Sequence, residues 1–241
     1  MGSDPIKTPV LFFHGFWGQS SDWDFLKAHH FQNNFQAVPY MQIPELSSTV
    51  HIMNWGAHFL KWKSQKWGEA PIRAVGYSQG GRLLLQAFQQ NPSCFQQLIL
   101  ISSHPGFQNP EEREARIKSD KIWAQKFRTL SWAELDRQWN SQAVFQMKVS
   151  PLRKNSEQDR ESLALCFENW SLGYQQDFRE IINQYPDKIS IILGDEDAKY
   201  VGVYRDFLKD TSRLRMEKGA AHRVPFDQPK SLVETLNLIL N

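Results

Sequence analysis

Short apolar runs alternate along the chain with longer stretches whose apolar residues recur at helical spacing. Val10–Phe13 (VLFF) is continuous and stops at His14-Gly15, the pattern of a buried strand. Phe35–Pro39 reads as a weaker strand. Val50–Gln65 places Ile52, Trp55, Phe59 and Trp62 on one helical face. Ile72–Val75 is a strand that runs into Gly76-Tyr77-Ser78-Gln79-Gly80-Gly81, and a helix over Gly81–Gln90 follows, stopped by Asn91-Pro92. Leu98–Ile101 and Ile189–Leu193 are further buried runs, and Leu232–Leu240 reads as a closing amphipathic helix. Strands that alternate with helices predict a mostly parallel sheet covered on both faces, an α/β architecture.

The alternation fails between about Phe107 and Asp177. That stretch is helical in pattern, with Trp123, Phe127, Trp132, Trp139, Phe145, Phe167 and Trp170 scattered through it, and eleven basic residues balance eleven acidic ones. The expected organisation is therefore a core over 1–106 and 178–241, with a helical cap over 107–177. Inserted after the carboxyl end of a strand, such a cap lies over the place where these sheets bind ligands. Its aromatic residues are expected to form mostly a small core of their own.

Composition narrows the function classes. In 241 residues, Lys+Arg 28 against Asp+Glu 26 leave a net charge of +2, which argues against a general nucleic-acid binder. Aromatic residues at 13% argue against disorder. Two cysteines, Cys94 and Cys166, are too few for a disulfide scaffold or a zinc ribbon and read as reduced core thiols. The start has no apolar signal region, and no apolar run approaches the ~20 residues of a membrane span. A cytoplasmic setting with no membrane partner is the expectation.

The chemistry gathers around Gly76-Tyr77-Ser78-Gln79-Gly80, a G-x-S-x-G pattern. Three fixed residues are a weak signal alone. Between a strand and a helix they describe a sharp turn that lifts a serine hydroxyl above the sheet. A serine needs a histidine to activate it and a carboxylate to orient that histidine. Of seven histidines, only His222 follows the last acidic loop, whereas His14, His29, His30, His51, His58 and His104 suit core or surface roles. Gly194-Asp195-Glu196-Asp197 supplies the carboxylate. Asp197 is far enough past the strand to turn inward, with Asp195 the runner-up. Developing negative charge needs two backbone N–H groups, here from Gln79 and from Phe16 in the His14–Gly18 loop.

Ser78, Asp197 and His222, together with the HGFWG loop, resemble an α/β-hydrolase-fold protein over nearly the whole chain. Only nine residues precede the first HG strand, so one or both of that fold's usual leading strands are expected to be missing. A sharper similarity lies in Gly76–Arg82, in Ser103-His104-Pro105-Gly106-Phe107, in Glu112–Asp120 and in Trp123–Phe127. It continues through Trp139, Ala143-Val144-Phe145, Gly194–Tyr200 and Ala221-His222-Arg223. This series is similar to the 2-succinyl-6-hydroxy-2,4-cyclohexadiene-1-carboxylate synthases of menaquinone biosynthesis. The resemblance implies a lyase that removes pyruvate from a polycarboxylate, 2-succinyl-5-enolpyruvyl-6-hydroxy-3-cyclohexene-1-carboxylate, without metal or organic cofactor.

It further implies that Arg82 and Arg116 clamp substrate carboxylates and that Tyr77, Trp139 and Phe145 line the pocket. A third clamp is expected from the cap, where Arg153 fits best and Arg160 is the alternative. For Arg116 an ion pair with Glu112, four residues earlier, is the competing role. Two other functions stay open: a serine hydrolase acting on a small carboxylate-bearing ester, thioester or C–C diketone, and a binding protein that keeps the fold without catalysis.

Overall fold

The computed structural model describes residues 9–145 and 157–241. Six parallel strands form one sheet: β1 (Val10–Phe13), β2 (Phe35–Ala37), β3 (Ile72–Tyr77), β4 (Phe95–Ile101), β5 (Ile189–Gly194) and β6 (Leu214–Glu217). They are ordered β2-β1-β3-β4-β5-β6. The mostly parallel sheet expected from the apolar runs is present. The weaker strand is shorter than its pattern and ends at Ala37, ahead of Val38-Pro39.

Strand alternation divides the core in two. Leu11, Phe13, Ala74, Leu98 and Leu100 point to one face, against Trp55 and Phe59 of the helix Ile52–Trp67 and Leu83–Leu85 of the helix Gln79–Gln90. Val10, Phe12, Val75, Ile99 and Ile101 point to the other, against Leu232, Val233 and Leu236 of the helix Pro229–Leu240. Both faces are thus dry, which is why these strands read as unbroken apolar runs.

The chain leaves β1 for β2 on one side and reaches β3 on the other, so the sheet order reverses between β1 and β3. Loops at that reversal diverge and leave a crevice at the carboxyl ends of the strands. The pairs Phe13↔Gly76 and Tyr77↔Ile101 set the ends of β1, β3 and β4 level there. Between β4 and β5 the described residues are largely helical: Pro110–Thr129, Trp132–Asn140, Glu157–Asn169 and Arg179–Gln184. Ala124, Phe127, Leu135, Leu163, Ala164 and Phe167 make a third apolar cluster within this connection, and Trp17 of the β1 loop joins it. Cys94 and Cys166 are free and buried. Among the described residues, no helix is long and apolar enough to cross a membrane.

Candidate active site

The turn after β3 is built by small residues. Ser78 has φ +49° and ψ −110°, a conformation that costs an L-residue and persists only where its surroundings fix it. The helix begins at Gln79, two residues before the expected Gly81, because the two glycines sit inside its first turn against the sheet. A Cβ on Gly80 would lie 2.6 Å from the carbonyl oxygens of both Phe13 and His14, and one on Gly76 would run into Gly81. Gly80→Ala is therefore expected to destabilise the fold by about 1–3 kcal/mol through overpacking. A thermal-unfolding midpoint equal to the parent's would show that β1 can yield.

Two further loops reach Ser78. After β6, the segment carrying His222 is pinned by Ala221 N–H donating to Asp227 Oδ2 at 3.0 Å. After β5, Asp195 N–H donates to Glu217 O at 3.1 Å and Glu196 N–H to Ala220 O at 2.9 Å, which ties this loop to the first. Ser78 Oγ and His222 Nε2 are 3.1 Å apart, and His222 Nδ1 and Asp197 Oδ2 are 2.9 Å apart. His222 and Asp197 are both buried. Asp197 also caps the helix Ala198–Phe207 by accepting from Tyr200 N–H at 3.2 Å. Asp195 is exposed and accepts from Gly219 N–H at 2.7 Å, so it closes a turn on the outside. The structure thus joins Ser78, His222 and Asp197 in one hydrogen-bonded line and leaves Asp195 out of it.

The line opens into a cavity of about 440 Å³. Phe16, Gln79, Tyr77, Trp139 and Phe145 all line it, as do Arg82 and Arg116. Gly15 passes so near that a Cβ there would meet the Tyr77 ring at 2.8 Å and Ser78 Cβ at 3.5 Å, which brings the Phe16 segment alongside the serine. The Phe16 ring packs on Trp139 (4.9 Å between centroids) and Phe167 (4.6 Å), joining the β1 loop to the β4–β5 connection.

Arg82 is buried and held rigidly. Its Nε donates to Gln175 Oε1 at 2.7 Å and an Nη to Trp170 O. Burial, with Arg116 nearby, lowers its pKa to about 10, so it stays charged at neutral pH although the charge is costly there. Arg116 pairs with Asp120, four residues later, at 2.8 Å, and not with Glu112 as the sequence allowed. The other oxygen of Asp120 is buried and has no hydrogen-bond partner among the described residues. Arg153 lies outside the described residues. Arg160 donates to the carbonyls of Phe127 and Leu130, stacks on Trp132 at 4.2 Å and is not among the residues lining the cavity.

Lys199, Tyr200 and Arg223 also line the cavity. Sequence reasoning assigned them no role; the signals were their places in the similar stretches Gly194–Tyr200 and Ala221-His222-Arg223 and the adjacency of Arg223 to His222. The Tyr200 ring lies 4.7 Å from that of His222, and burial raises its phenol to about 12, which keeps it a hydrogen-bond donor. His104 is buried at the end of β4, and burial lowers its pKa to about 3, so it is neutral. Its Nδ1 accepts from Gly106 N–H, in keeping with a structural part.

This fold and this line of side chains define a class. The chain belongs to the alpha/beta hydrolase family, whose model matches residues 10–235, and it is an enzyme of that fold. Within the class it is similar to the 2-succinyl-6-hydroxy-2,4-cyclohexadiene-1-carboxylate synthase of Salmonella agona, with 27% identity over 100% of this chain and 96% of that one. The structure of MenH from S. aureus superposes with a TM-score of 0.80 at 16% identity, covering 97% of this chain and 93% of that one. A thermophilic esterase from Thermogutta terrifontis, solved with malate bound, superposes with a TM-score of 0.68 at 14% identity, covering 97% and 89%.

Proposed function

We propose that the protein is a lyase of menaquinone biosynthesis that eliminates pyruvate from 2-succinyl-5-enolpyruvyl-6-hydroxy-3-cyclohexene-1-carboxylate. The observation that carries this reading is the charge of the cavity wall. Arg82, Arg116, Lys199 and Arg223 line it against Asp120 and Asp136, and Asp120 is already paired with Arg116. A small neutral ester has little use for such a wall, whereas a polycarboxylate matches it, because guanidinium groups take carboxylates through charge-assisted, often paired hydrogen bonds.

In this reading Ser78 O–H donates to His222 Nε2, and His222 Nδ1–H donates to Asp197 Oδ2. As the imidazole draws the hydroxyl proton, the Ser78 oxygen removes the proton alpha to the succinyl carbonyl. The electron pair moves onto that carbonyl, and the N–H groups of Phe16 and Gln79 stabilise the enolate oxygen. The enolate then collapses through the ring double bond and breaks the C–O bond to the enolpyruvyl group. The imidazolium returns the proton, and the released enolpyruvate becomes pyruvate. Asp197 fixes the imidazole tautomer and stabilises its charged form.

Steady-state pyruvate release from the enolpyruvyl substrate tests the binding half of this proposal. Arg82→Ala and Arg116→Ala are each expected to raise KM about 10- to 100-fold, the worth of a hydrogen bond to a charged group. Unchanged KM in both would reject the clamp assignment. A serine hydrolase is the alternative, and the esterase of the same fold gives it a place. Fast turnover of p-nitrophenyl acetate with no pyruvate from the enolpyruvyl compound would favour it.

A further inference from the structure

Arg223 follows His222 directly and is 5% exposed, yet it lines the cavity. One Nη donates to Asn140 Oδ1 at the end of the helix Trp132–Asn140. Its guanidinium carbon lies 3.8 Å from the centre of the Phe145 ring, and that ring lies 6.1 Å from the His222 ring. Asn140 and Phe145 line the same cavity.

Among the described residues, the two other guanidinium groups of the wall are anchored elsewhere. Arg82 is fixed by Trp170 and Gln175, and Arg116 by Asp120. Among the described residues, the contacts of Arg223 with Asn140 and Phe145 are distinct from those that hold Arg82 and Arg116. Among the described residues, the guanidinium groups of the cavity are therefore held in two sets: Arg82 and Arg116 on the helices Gln79–Gln90 and Pro110–Thr129, and Arg223 next to the imidazole of His222. A guanidinium lying over an aromatic face directs its N–H groups along its own plane, the direction in which it engages a carboxylate. Asn140 and the Phe145 face hold that plane in a set orientation, which reduces the entropy lost when an anion binds.

We propose that Arg223 is a specificity-determining residue: a second anion seat that selects ligands bearing two separated carboxylates over ligands bearing one. The proposal rests on the reading of the substrate as a polycarboxylate and assigns one of its carboxylates to the His222 side of the cavity. It also accounts for a guanidinium brought into the wall by a residue other than Arg153 or Arg160.

The test uses unreactive anions, so it stands or falls apart from pyruvate release. Isothermal titration compares straight-chain dicarboxylates of five to eight carbons with monocarboxylates of the same length, on the parent, Arg223→Met and Arg223→Lys. The parent is expected to bind at least one dicarboxylate in preference to its monocarboxylate. Arg223→Met is expected to weaken that dicarboxylate about 10-fold or more while changing the monocarboxylate less than about 3-fold. Arg223→Lys keeps the charge and loses the fork, and it serves if the methionine variant does not fold. It is expected to weaken the dicarboxylate about 3-fold and leave the monocarboxylate unchanged. Equal weakening of both ligands, unchanged dicarboxylate affinity, or no dicarboxylate preference in the parent overturns the proposal.

Discussion

Replacing Ser78 by alanine is expected to lower pyruvate release at least ~100-fold, the cost of losing a positioned general base. The effect should fall on kcat. Ser78 Oγ is bonded to His222 and takes no part in the arginine wall, so the substrate's carboxylates keep their partners and KM stays near the parent's. The split between kcat and KM separates this outcome from a collapsed site, in which both would change. The alanine removes only an oxygen and keeps the Cβ, although the strained φ at this position remains to be satisfied by the new residue. Unchanged pyruvate release by the folded variant would reject a proton-transfer role for Ser78.

Asp197→Asn is expected to cost about 10⁴-fold in kcat, the scale seen when an orienting carboxylate in a Ser-His-Asp line becomes an amide. The reason is geometric and electrostatic at once. Asp197 is buried and accepts from His222 Nδ1 at 2.9 Å, so its charge holds the proton on that nitrogen and leaves Nε2 free to accept from Ser78. An amide nitrogen turned to the ring would donate instead, place the ring proton on Nε2 and block the transfer from the hydroxyl. Because Asp197 also caps the helix Ala198–Phe207, thermal unfolding should be measured beside kcat. Asp195→Asn is the matched control, since that carboxylate is exposed and accepts from Gly219 N–H outside the hydrogen-bonded line, and it should leave kcat within about 3-fold of the parent. Similar losses in both variants would contradict the assignment of Asp197.

Much of the sheet was legible because burial on both faces writes continuous apolar runs, and β1 matches its run residue for residue. The strand β6 was not. Its sequence Leu-Arg-Met-Glu lies at the sheet edge with the consecutive residues Arg215 and Met216 both exposed, so a single neighbouring strand and exposure on both faces leave no apolar run to read. The helix Ala198–Phe207 was hidden by its mixed composition, although its cap, Asp197, had been singled out for another reason. Within the candidate site, Ser78 and His222 stood out because a strand-turn-helix pattern and chain order are local signals. The choice between Asp195 and Asp197 depended on which carboxylate turns inward, and the contacts of β5 with the His222 loop decide it.

What sequence could not supply was the company each arginine keeps. Arg82 meets Trp170 and Gln175 some ninety positions away, and Arg223 meets Asn140 eighty-three positions away. Such pairings follow from how the β4–β5 connection lies over the sheet, which no local pattern encodes. Arg116 shows the same limit at short range: Glu112 and Asp120 stand one helical turn away on either side, and the ion pair forms with Asp120.

In the proposed reaction the activated hydroxyl removes a proton and does not attack a carbonyl. The most direct measurement is the intact mass of the protein quenched part-way through conversion of the enolpyruvyl substrate, with pyruvate quantified in the same sample. Pyruvate is expected in step with substrate consumed, with the protein at its unmodified mass. A substrate-derived adduct on the Ser78 peptide, or consumption of the substrate without pyruvate, would contradict this reaction.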